Sequence, residues 1–170
     1  MKKKFVSFSL ISILLIGCLP FTVSGQRDVQ KRAKVCGDPT EACETKFEFE
    51  PHDISFEVPD DAVQIYETEE FYAVILASVR VTDANCETRF ISEERRLETQ
   101  ELFPNNKVFA SRCPDPGNLY YEPIDYRIQF MAVYAGKTKE EANELLATVK
   151  ATGKFSDAFV RQLSAGINGT

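Results

Sequence analysis

The single histidine, His52, and the five cysteines, Cys18, Cys36, Cys43, Cys86 and Cys113, are the residues of this chain best suited to nucleophilic or metal chemistry. Their spacing does not favour either. No two cysteines have the Cys-x-x-Cys spacing of a zinc knuckle, and one imidazole cannot complete a ligand set for them. His52 lies in Glu50-Pro51-His52-Asp53, a turn-like acidic stretch with no Gly-x-Ser-x-Gly elbow or Cys-His signature beside it, so it reads as a surface loop residue. Acid pairs such as Glu69-Glu70, Glu93-Glu94 and Glu140-Glu141 abound. A two-carboxylate hydrolase would need one such pair at a defined spatial separation, and solvated helix or strand edges explain them without it. The sequence therefore predicts no catalytic residue, no metal ligand and no cofactor.

The cysteines take their meaning from the N-terminus. Lys2, Lys3 and Lys4 precede an apolar run from Phe5 to Gly17, which is too short to span a bilayer and has the order of an export signal. Two cleavage sites compete. Leu15-Ile16-Gly17-Cys18 fits the lipobox of bacterial lipoproteins, with Cys18 lipidated and residues 1–17 removed. Val23-Ser24-Gly25 fits an ordinary small-residue site, with residues 1–25 removed. Either route leads to the periplasm or an outer-membrane association, and a lipid on Cys18 would be the one expected link to a membrane. In that oxidising compartment Cys36, Cys43, Cys86 and Cys113 are an even set for two disulfides.

The chain of 170 residues has 20 Lys+Arg against 26 Asp+Glu, a formal charge of -6. Starting at Gln26 it would keep 17 basic and 26 acidic residues, a charge of -9. Phosphate backbones would repel it at long range, and no Lys/Arg stripe interleaved with aromatics reverses this locally, so nucleic acid is not an expected partner. The 44% hydrophobic content predicts a packed core.

The elements that would position any site begin after a polar arm. Residues 26–66 hold Gly37-Asp38-Pro39 between Cys36 and Cys43, and two alternating stretches, 46–50 and 54–58, that read as short strands or extended segments bounded by Pro51 and Pro59. From Phe71 the order becomes regular. Residues 71–79 form a β-rich apolar strand. Ser92 caps a helix that runs to about Phe103 and stops at Pro104. Residues 107–111 form a second strand, and Pro114-Asp115-Pro116-Gly117 breaks the chain. Residues 126–134 form a third strand. A capping box at Thr138 to Glu141 then opens a helix with Ala142, Leu145, Leu146 and Val149 on one face and Gly153 as its left-handed stop. Residues 157–163 close the pattern, and 166–170 are a polar tail. The fold class is α+β: a ferredoxin-like βαββαβ unit over 67–165, with two helices on one face of a four-stranded antiparallel sheet and an extended N-terminal arm. In such a unit the loop after the first strand and the end of the second emerge at one rim, which predicts a Cys86–Cys113 bridge and leaves Cys36 for Cys43. The other sheet face would be free.

Tyr126-Arg127-Ile128-Gln129-Phe130-Met131-Ala132-Val133-Tyr134 is similar to a strand of the SPOR (sporulation-related) repeat family. Glu140-Glu141-Ala142 with Leu145-Leu146 resembles that family's second helix, and Asp157-Ala158-Phe159-Val160 its last strand. Residues 71–113 resemble it in element order. The resemblance implies a non-catalytic domain of the bacterial cell envelope that binds peptidoglycan glycan strands, especially those stripped of their peptides, on the sheet face opposite the helices. Arg127, Gln129, Met131, Phe159 and Arg161 would carry that contact, their amide and guanidinium groups hydrogen bonding to sugars beside apolar surface. Two alternatives stay open. The sheet face is either solvated or covered by the 47–58 segment, or the chain is a disulfide-stabilised module or inhibitor that binds an envelope protein, a reading favoured by the apolar Ile75 at the centre of the face.

Overall fold

A computed structural model describes residues 32–45, 47–57, 65–81, 90–111 and 119–168. The export signal, Cys18 and the Cys86–Cys113 pair lie outside these residues. The described part belongs to one compact unit that begins at Lys31. Its elements are β1 (Ile65–Glu67), β2 (Phe71–Arg80), α1 (Glu93–Gln100), β3 (Val108–Ala110), β4 (Leu119–Glu122), β5 (Ile128–Gly136), α2 (Lys139–Ala151) and β6 (Phe159–Asn168).

Local chemistry sets the helix ends. The Ser92 hydroxyl accepts a hydrogen bond from the Arg95 amide, and Thr138 and Glu141 form a reciprocal capping box. Gly153 follows α2 at φ +69°, where a side chain would be strained. Ala142 and Val149 of α2 are fully buried, and Leu145 and Leu146 pack beside them. Helix α1 is held differently. Its buried residues are Arg96 and Thr99. The Arg96 guanidinium donates to both Glu93 carboxylate oxygens and, at 3.0 Å, to the Val108 carbonyl, which ties α1 to β3.

All strand pairs are antiparallel. Strand β2 lies between β5 and the first half of β6, and β3 flanks β5. Beyond Leu163, β6 pairs with both β1 and β4 through Gly166 and Ile167. A strand has two edges, so β1 and β4 flank it on opposite sides. Strand β1 continues the line of β2, and β4 adds a fifth position: β4-β6-β2-β5-β3. The four-stranded sheet expected from the sequence is thus extended, and it curls. The rings of Phe109 in β3 and Tyr121 in β4, from the two outer strands, sit 5.5 Å apart, with Phe130 between them as a shared neighbour.

The curl creates two cores. On the helical side Val74, Leu76, Val108, Met131, Val133 and Ala135 pack against α1 and α2. On the concave side Phe71, Ala73, Ile75, Phe109, Tyr121, Phe130, Ala132 and Leu163 pack against the arm, whose Val35, Ile54 and Phe56 are buried. Each large apolar side chain buried in this way contributes roughly 1.5–3 kcal/mol. Val35 and Phe56 form an isolated bridge, and Phe49 sets its ring edge-on against Phe56. The arm is therefore part of the core. The Cys36–Cys43 disulfide closes its first loop, and Gly37 lies flat on Tyr134, so close that a Cβ there would fall 2.1 Å from the ring.

This arrangement corrects the assignment of faces. Gln129 and Met131, expected on the face opposite the helices, lie on the helical side, and Phe130 and Ala132, which alternate with them, lie on the concave side. Strand β5 is apolar on both sides, so alternation separates its residues into two sets without saying which set meets the helices. A second register effect lies in β2. Ile75 pairs with Ala132 and Ala77 with Met131, so the bulge at Leu76 puts Ser78 rather than Ala77 on the face of Ile75. The tail expected from Gly166 onward is strand, since β6 runs to Asn168.

Candidate functional site

The described residues of the arm pack against one end of the concave face; the turn between β4 and β5 lies at the other. There the chain leaves β4, turns through Pro123–Arg127 and enters β5. Two open depressions flank this turn. The larger, about 450 Å³, is lined by Ser111, Tyr120, Tyr121, Glu122, Tyr126 and Arg127. The smaller, about 160 Å³, is lined by Ile75, Ser78, Pro123, Phe159 and Arg161. They share Ile124, Asp125, Ile128 and Phe130.

Asp125 organises the turn. Its carboxylate accepts from the Arg127 amide at 3.0 Å, from Arg127 Nε at 3.1 Å and Nη2 at 2.7 Å, and from Arg80 Nη1 at 2.9 Å. The Arg127 hydrogen bonds and then those of Arg80 hold its carboxyl far below the usual carboxylate range, so it stays ionised. Arg161 donates from Nη2 to the Pro123 carbonyl at 3.2 Å and so fastens the turn to β6. The Arg127 guanidinium lies over the Tyr126 ring, 5.6 Å from its centroid. Tyr126 is 64% exposed and Phe159 47% exposed, a large aromatic area left facing solvent.

Of the five residues expected to form the site, three meet here. Phe159 and Arg161 pair in register with Ile75 and Ala73 and therefore share the concave face, and Arg127 stands at the edge of the turn. Gln129 and Met131 do not join them. Met131 is fully buried among the helical-side residues, and Gln129, 4% exposed, accepts a hydrogen bond from the Phe90 amide at 3.1 Å just ahead of α1. Arg80, Asp125 and Tyr126 were missed as site residues. Their signal was the run Leu119-Tyr120-Tyr121 bounded by Pro123, a short β-prone stretch that makes β4 and so brings the turn over the face.

His52 is half-buried in the turn after Phe49, paired with Asp53 at 3.3 Å, and its carbonyl accepts from the Ala110 amide. Among the described residues no group of three or more His, Cys, Asp or Glu side chains is placed to hold a metal ion, and no helix is long and apolar enough to cross a membrane. Compared with protein families, with curated proteins and with solved structures, the chain matches none.

Proposed function

We propose that this protein is an exported, non-catalytic cell-envelope module that binds glycan strands, of the peptidoglycan type, at the open end of its concave sheet face. The observation that carries the reading is the company kept by two exposed rings. Tyr126 and Phe159 flank a turn fastened by Arg80, Arg127 and Arg161. Sugars are bound by apolar ring faces that pack on their C–H groups and by planar donors that take up their hydroxyl and amide oxygens. Guanidinium groups held in place by protein acceptors lose less freedom on binding than free ones. The strand order β6-β2-β5-β3, with α1 and α2 on one side, is the order a ferredoxin-like split βαβ unit would have; separately, the reading draws on the resemblance of residues 126–163 to the SPOR family. Export rests on Lys2–Lys4 and the apolar run behind them.

Substitution of the rings tests the site. Tyr126→Ala and Phe159→Ala, both exposed, should each weaken retention on immobilised glycan strands by about tenfold, the equivalent of roughly 1.4 kcal/mol, with melting temperatures close to that of the parent. Unchanged retention in both variants would remove this face from the account.

A protein partner is the second reading, favoured by a different observation. Strand β6 is paired on one edge by β2 over Phe71–Ile75, while the opposite edge of Phe159–Leu163 has no strand beside it among the described residues. An extended peptide could add there in line with β4.

A further inference from the structure

We propose that the open edge of β6 binds a second copy of this chain, the two β6 strands running antiparallel with Val160 on the two-fold axis. The inference rests on the second reading above, whose edge it uses, and names the occupant; the glycan reading does not depend on it.

The backbone of β6 shows which groups the edge offers. The Ala165 carbonyl accepts from the Thr68 amide at 2.8 Å, and the Ala165 amide donates to the Thr68 hydroxyl at 3.0 Å, so Ala165 turns its backbone toward the side of β1 and β2. Alternation turns Leu163, Arg161 and Phe159 the same way, toward their partners in β2, and Ser164, Gln162 and Val160 the opposite way. Ser164 meets Glu122 of β4 there. Val160 and Gln162 meet no strand, and among the described residues the outward amide and carbonyl of each have no hydrogen-bond partner. Natural edges are guarded by lysine, proline, a bulge or a covering loop. Phe159–Leu163 has no lysine, proline or bulge, and the Phe159 ring beside it is 47% exposed.

Two features select a copy and its register. A two-fold pair sets each residue against its equivalent about the axis. With the axis at Arg161, two guanidinium groups would stand opposite each other, which is repulsive, and Ala158 of the copy would fall opposite Ser164, the place that Glu122 fills. With the axis at Val160, the two Val160 residues exchange both backbone hydrogen bonds. Phe159 of each copy then stands opposite Arg161 of the other in the close pair without backbone bonds, cation beside ring, and this happens twice. Gln162 faces Ala158, and the pairing ends before it reaches β4. The Arg161 guanidinium already rests on the Pro123 carbonyl and has little freedom to lose. So short a paired segment makes a weak, exchanging dimer.

The test uses the oxidised chain as an exporting host processes it, carrying Cys18→Ser to exclude a lipid. Sedimentation equilibrium should show monomer and dimer exchanging between micromolar and near-millimolar concentrations. Val160→Pro removes an outward N–H and leaves the bonds to β2 in place, so it should weaken the dimer at least about tenfold while the dilute monomer unfolds thermally close to the parent. Gln162→Pro is the second variant of the same kind. The Val160 and Gln162 amides should exchange hydrogen slowly in the dimer and fast in the dilute monomer. Mixing Phe159→Cys with Arg161→Cys should give an interchain disulfide that neither gives alone. A monomer at every concentration with fast exchange at both amides would overturn the copy and leave the edge to a strand of another protein. A monomer with slow exchange at both would overturn the open edge and the second reading with it. A dimer indifferent to both proline variants, or one in which Arg161→Cys crosslinks to itself, would overturn the pairing at Val160.

Discussion

Gln129, 4% exposed, takes the hydrogen of the Phe90 amide at the edge of the helical-side layer. Gln129→Ala should therefore act on stability and leave glycan binding unchanged, at a cost of about 1 kcal/mol for the lost hydrogen bond, read from urea unfolding. Weakened binding at unchanged stability would mean that this amide faces the ligand after all. Asp125 carries the pH dependence at the site. Its carboxyl titrates below its ordinary value of 3.8 because Arg127 and Arg80 stabilise the charged form. For a group depressed in this way, the unfolded chain takes up its proton first as the pH falls, so the stabilisation is complete above about pH 4–5 and is lost as the solution is acidified further. The difference in urea midpoint between the parent and Asp125→Asn should be constant from about pH 5 to 8 and shrink below pH 4. A difference that grows on acidification would contradict the sign. At this scale the sequence was most legible where the signal is local. Ser92, Thr138 with Glu141, and Gly153 do what their positions predict, because a cap depends on residues within four positions of it. Gln129 and Met131 were not legible, since alternation names two faces and only the tertiary fold says what lies against each.

Among the elements, the two helices and the strands β2, β3, β5 and β6 follow the apolar periodicities, while β1 and β4 escape them. Strand β1 is three residues long and β4 four, too short for a period to show, and both depend on a partner more than 40 residues away in β6. The arm was legible in part: Ile54 and Phe56 alternate with polar neighbours as a half-buried segment does, and both are fully buried because the curled sheet offers a second apolar face to cover. Phe56→Ala should then cost about 3–5 kcal/mol, the range for a large buried ring. A loose arm would give almost no change, and thermal unfolding distinguishes the two. The Cys36–Cys43 bridge adds to this attachment by limiting the unfolded chain, a contribution of roughly 2–3 kcal/mol for a loop of this length.

For the molecule as a whole, the arm narrows the question of function. A free sheet face would offer four strands of surface, but Val35, Ile54 and Phe56 cover part of it, so the glycan contact proposed above is placed at the turn between β4 and β5 and the rings beside it. A short, arginine-fastened site would suit a ligand that is long, repetitive and met a few sugars at a time. Co-sedimentation of the wild-type chain with purified sacculi, with and without enzymatic removal of stem peptides, tests the claim most directly. The protein should pellet with the sacculi, more strongly after the peptides are removed, and Tyr126→Ala with Phe159→Ala should leave it in the supernatant. Wild-type protein that stays in the supernatant with both preparations would contradict glycan binding and transfer the site to a protein partner.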